Sequence, residues 1–87
     1  MSVSVTDHAF RRWHQRSDCP ALDPAVAWVQ AIEFECPTLE GDEIRYHEDS
    51  NTCLVRKDSD LVTVIDVSEA PWETRQAVAA INGGDQR

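Results

Sequence analysis

An α+β domain is the fold class predicted for this chain, on three observations. Two segments with helical spacing come first, three β-prone runs follow back to back, and three-residue polar turns, Asp49-Ser50-Asn51 and Asp58-Ser59-Asp60, separate those runs. Helices gathered in a block ahead of an antiparallel meander are expected on one face of its sheet. At 87 residues the chain has room for one domain, taken as residues 1–84 with 85–87 as a frayed tail.

Each element has a local reason. Alternation of polar and apolar residues places Val3 and Val5 on one face of a short opening strand. Thr6 is the expected N-cap of a helix over 7–16, with Asp7 in its first turn and Ala9, Phe10 and Trp13 as its apolar arc. Asp23 followed by Pro24 starts a second helix, expected to run to about residue 34. It is apolar over most of its circumference and therefore expected to be the more buried. Pro37 biases Cys36 away from helix, and Gly41-Asp42 marks a turn. The meander occupies 43–48, 52–57 and 61–67, and the last run, apolar on both faces, is expected to be central or well covered and to pack on the Trp28 helix. Ser68 is the expected cap of a final helix that carries Trp72, Val78 and Ile81 and closes at Asn82-Gly83-Gly84. Trp13, Trp28 and Trp72 read as core.

Charge narrows the function classes. Asp and Glu number 16 against eight basic residues, of which only Lys57 is a lysine, for a formal net charge of −8. Such an acid-rich, lysine-poor composition resembles proteins of salt-accumulating halophiles, in which local basic clusters count for more than net charge because the Debye length shrinks to ~3 Å at 1 M salt. The three cysteines form no CxxC pair and are read as reduced. No ligand spacing suits a structural metal, so none is expected. No run approaches a membrane span and the N-terminus lacks a leader pattern, which predicts a soluble, cytoplasmic protein. Phosphate-binding loops, HExxH and GxSxG are absent from the sequence.

The most informative segment is the first helix. His8, Arg12 and Arg16 recur at i, i+4 and i+8, Arg11 and Gln15 widen the same arc, and no carboxylate intervenes between Asp7 and Asp18. Arginines offer bidentate contacts to phosphate, and histidine transfers protons near neutral pH. The bland alternative is that these arginines pair with carboxylates of the sheet or of a partner. A second cluster is Arg45-Tyr46-His47 on the first meander strand with Arg56 on the next. Alternation puts Arg45 and His47 on one face, either converging with the first helix or solvated and balanced by Glu43 and Glu48.

With its first helix reading His8-Ala9-x-x-Arg12-x-x-x-Arg16, the chain resembles the RelE-like toxin superfamily, and the order strand, two helices, meander extends the resemblance to Val67. That resemblance implies a metal-independent, cofactor-free RNA endonuclease that acts on mRNA, often on the ribosome, and is neutralised by an antitoxin protein. His8, Arg12 and Arg16 match the helix signature. Arg45 and His47 are positional candidates for catalysis, and Arg11, Gln15, Tyr46 and Arg56 for RNA binding. Val64-Ile65-Asp66-Val67, at the meander's end, offers no obvious base or arginine. The competing function is a catalytically inactive interaction module that docks an acidic partner through the same arginine-rich helix.

Overall fold

The computed structural model describes residues 3–35, 39 and 41–84. In chain order these form β1 (Ser4–Val5), α1 (Asp7–Arg16), α2 (Pro24–Gln30), β2 (Ile32–Glu33), β3 (Glu43–His47), β4 (Thr52–Lys57), β5 (Asp60–Asp66), a 3₁₀ turn (Val67–Glu69) and α3 (Trp72–Gly84). The strands make one five-stranded mixed sheet in the order β1-β5-β4-β3-β2, with β1 parallel to β5 and the other pairs antiparallel. The α+β class holds.

Caps and turns carry the local logic. The Thr6 hydroxyl accepts from the Ala9 amide at 3.1 Å and donates to the Leu61 carbonyl at 3.1 Å, so one side chain starts α1 and ties it to β5. Asp23 Oδ1 accepts from Ala25 N at 2.9 Å, with Pro24 at the first position of α2. In the two tight turns of the meander, Asn51 (φ 54°) and Asp58 (φ 58°) adopt left-handed backbone, which Asn and Asp tolerate better than most residues. Gly41 passes so close to β4 that an added Cβ would lie 2.5 Å from Val55 Cγ1, and the neighbouring Asp42 amide donates to the Arg56 carbonyl at 2.8 Å.

Both faces of the sheet are covered, rather than the single face expected. On one, α1 and α2 bring Ala9, Trp13, Ala27 and Trp28 against Leu54, Leu61 and Val64. On the other, Val67 of the 3₁₀ turn and Val78 of α3 pack with Ile44, Tyr46, Cys53 and Val55. Leu61 and Val64 are three apart, an odd spacing that a regular strand would send to opposite faces. The register shift between Val55 and Arg56, opposite Thr63 and Leu61, resolves this by leaving Val62 as the extra residue of a bulge.

Several expectations are corrected. The second helix stops at Gln30 instead of continuing to 34: Ala31 turns extended (ψ 159°), and Ile32 and Glu33 pair with Tyr46 and Arg45 as an edge strand. An apolar run with a β-branched Ile32 suits either state, and pairing with β3 decides it. That helix is nonetheless the more buried of the first two, as expected, with Pro24, Ala27 and Trp28 buried against only Ala9 and Trp13 of α1, although Val26 and Val29 are exposed. The central strand is β4; β5 lies one place from the edge but is well covered at Leu61 and Val64, where Trp28 joins the same core cluster, and α1 is the helix that runs along it. Phe10 (49 % exposed) and Trp72 (64 %) lie outside the core. Ser68 sits in the 3₁₀ turn capped by Asp66 and does not start α3. The readings of Cys36, Pro37 and the 85–87 tail fall outside the described residues.

Candidate functional site

The basic face of α1 is built by helical spacing alone. His8, Arg11 and Gln15 are exposed, while Arg12 and Arg16 are half-buried. Arg12 Nη1 donates to Gln15 Oε1 at 2.9 Å, and Arg16 Nη1 donates to the Val64 carbonyl at 3.0 Å, which ties the C-terminal turn of α1 to β5. Among the described residues none of Arg11, Arg12 and Arg16 forms an ion pair. Even Asp7, one turn before Arg11, does not reach it.

The strand arginines behave differently. Arg45 Nε meets Glu43 Oε2 at 2.6 Å and Arg56 Nη2 meets Glu43 Oε1 at 3.3 Å, so one carboxylate serves two cations. Arg45 also lies 4.2 Å over the Trp28 ring and donates to the Trp28 carbonyl at 2.9 Å, while Arg56 donates to the Asp58 carbonyl. Together with Val3, Trp28, Asp58 and Ser59 these three residues line a cavity of about 330 Å³. Arg45 and Arg56 thus fasten β3, β4 and α2 to one another and do not join the α1 face.

His47 is 2 % exposed. Its Nδ1 lies 2.7 Å from Ser50 Oγ and its Nε2 3.0 Å from Gln30 Oε1, and Ser50 Oγ lies 2.7 Å from Thr52 Oγ1, a buried polar chain. Its ring packs 6.1 Å from that of Trp13, on the side of α1 that is turned inward. Burial pushes the imidazole below its ordinary value, with the Asp49 charge acting the other way, so the neutral form is favoured. Tyr46 packs in the second core cluster and donates its hydroxyl to Asn51 Oδ1 at 3.2 Å. The structure therefore brings His8, Arg11, Arg12, Gln15 and Arg16 together and leaves Arg45, Tyr46, His47 and Arg56 elsewhere.

Glu43, which the sequence offers as a balance for Arg45, does pair with it and takes Arg56 as well. The proximity of Asp66 and Glu69 to Arg16, with which they line a cavity of about 130 Å³ together with Ile65, has no sequence signal, because it depends on how α1 crosses β5. A further cavity, about 470 Å³, lies at the β2–β3 end. Its described lining carries Glu33, Glu35, Asp42 and Glu43 and no cation, a poor setting for a phosphate.

Among the described residues no three of His, Cys, Asp and Glu converge in a group able to hold a metal ion, and no helix is long and apolar enough to cross a membrane. No curated protein and no solved structure matches the chain. A family model described as "Putative RelE superfamily toxin domain" matches residues 5–68, from the end of β1 into the 3₁₀ turn. With α1, the meander and the α1 basic face all inside that span, which covers more than half of the chain, the protein belongs to this family of RelE superfamily toxin domains.

Proposed function

We propose that the protein is an RNA endonuclease of a toxin–antitoxin pair whose α1 face takes the RNA backbone, either as free RNA or as mRNA on the ribosome. The observation that carries this reading is a helix face with three arginines and a histidine, free of ion pairs with described residues in a chain of 16 acids. Ion pairing is the usual fate of arginine in so acidic a setting, and Glu43 supplies two instances of it. Arginines left out of such pairs keep their guanidinium groups for phosphate oxygens.

Helical rise separates His8 from Arg16 by about 12 Å, so the two ends of the face address different parts of a strand rather than one phosphate. Arg12 sits between them, and its bond to Gln15 holds its guanidinium along the same side of the helix. In a metal-independent reaction the cations orient the scissile phosphate and offset the charge that builds on it in the transition state.

The withdrawal of Arg45 and His47 into structural roles leaves the face with fewer chemical groups than the resemblance implied. This observation favours the second reading, a module that docks an acidic partner. Induced expression and an RNA cleavage assay with purified protein separate the two. A nuclease arrests growth and cuts RNA, and Arg12→Ala slows cutting by about a hundredfold while Arg75→Ala, on α3, leaves it unchanged. Unarrested growth together with intact free and ribosome-bound RNA would reject the nuclease in favour of docking.

A further inference from the structure

The cavity at the C-terminal end of α1 holds an arginine and two carboxylates that do not pair. Its volume of about 130 Å³ is several times the ~30 Å³ share of a liquid water molecule. Arg16 commits Nη1 to the Val64 carbonyl and makes no ion pair with either acid. Asp66 is occupied, because its Oδ1 accepts from Ser68 N at 3.0 Å and Ser68 Oγ at 2.7 Å and so caps the 3₁₀ turn. Glu69 ends that turn, is exposed, and has no hydrogen bond or ion pair among the described residues. It lies one residue beyond the span that the family match covers.

A cationic donor and an uncommitted carboxylate lining one cavity are complementary to a ligand that carries an anionic oxygen beside an ionisable hydroxyl. The ribose phosphodiester has both, a phosphate oxygen for Arg16 and a 2′-hydroxyl for Glu69. DNA has only the first. We propose that Glu69 is the general base of the reaction, with Arg16 holding the phosphate it acts beside and Asp66 positioning Glu69 by capping its turn. This rests on the nuclease reading above and names the end of the α1 face where the chemistry occurs.

The step balances without a redox partner. Glu69 takes the 2′-hydroxyl proton as the 2′-oxygen bonds to phosphorus, the bond from phosphorus to the 5′-oxygen breaks, and that oxygen leaves with a proton from water. The products are a 2′,3′-cyclic phosphate and a 5′-hydroxyl end, and the Glu69 proton returns to solvent.

The test uses the full chain, a labelled RNA oligonucleotide and its DNA copy, followed by cleavage and by fluorescence anisotropy. Glu69→Gln should lower the cleavage rate by about a hundredfold, leave RNA binding as tight or tighter, and remove the rise of rate with pH on the acid side. Glu69→Asp, which keeps a carboxylate one methylene shorter, should recover part of the rate, and the DNA copy should bind without being cut. Glu69 is exposed, so an unchanged melting temperature certifies the fold of each variant. Cleavage by Glu69→Gln within about threefold of wild type would overturn Glu69 as base and leave the nuclease standing, whereas intact RNA with the wild-type protein would overturn both.

Discussion

Two groups of arginines occupy this molecule, and they differ in what surrounds them rather than in what they are. On β3 and β4, Arg45 and Arg56 converge on Glu43 because a strand puts residues two apart on one face and the register sets Glu43 opposite Arg56. On α1, Arg11, Arg12 and Arg16 share an arc from which carboxylates are missing at the i±3 and i±4 positions, apart from Asp7, and even that pair is not made. The strand arginines are held in ion pairs within the fold, whereas the helix arginines make none with described residues. Sequence composition does not distinguish the two cases. Geometry does.

The largest effect that could break this comparison is a double dissociation between activity and stability. Arg16→Ala should reduce RNA cleavage by about 3 kcal/mol in transition-state terms, roughly a hundredfold, while its melting temperature moves little because only one bond to the Val64 carbonyl is lost. Glu43→Gln should do the reverse. It strands two half-buried cations and should cost about 1–2 kcal/mol of stability, between the values for exposed and buried pairs, with cleavage per folded molecule unchanged. Urea unfolding and initial rates on the same samples measure both. Equal loss of activity in the two variants would erase the distinction.

What could be read in advance follows the same division between local and non-local causes. The bounds of α1, its Thr6 cap and the three meander strands were legible because each depends on residues within one turn or one hairpin. The end of α2 was not, since Ile32 suits helix and strand equally and only β3, eleven or more residues away, decides between them. The destinations of Arg45 and His47 were hidden for a related reason. Alternation placed them correctly on one face, but whether that face met solvent or the Trp28 ring depended on where α2 landed. Trp72 misled because helical spacing marks an apolar face and does not say that anything covers it.

A smaller effect comes from salt, and it sharpens the contrast between paired and unpaired charge. With 16 acids against eight bases, screening should relieve net repulsion, while the half-buried Glu43 bridges are screened less than exposed charges. We expect the melting temperature to rise as potassium chloride increases from ~0.1 M to ~1 M, the span over which the Debye length falls from ~10 Å to ~3 Å. A steady fall would mean that favourable surface pairs outweigh repulsion and would count against a high-salt habitat.

The smallest expected effect is that of pH at His47, where two causes oppose each other. Burial disfavours the imidazolium and Asp49 partly offsets it, leaving the folded-state value below the ordinary 6.5. With Gln30 Oε1 as acceptor, Nε2 carries the hydrogen and Nδ1 accepts from Ser50, so a second proton would force Ser50 to reverse its bond and lean on Thr52. Because the unfolded chain binds the proton more readily than the folded one, stability is fully present above 6.5 and is lost as pH falls through that value toward the lower folded-state one. Urea midpoints at about pH 7.5 and about pH 5.5 should therefore differ more for wild type than for His47→Gln, which lacks the titrating ring though it is less stable throughout. Parallel losses in the two proteins would show that the acid sensitivity arises elsewhere, and would remove His47 from the set of residues whose role in this fold is to stay neutral and buried.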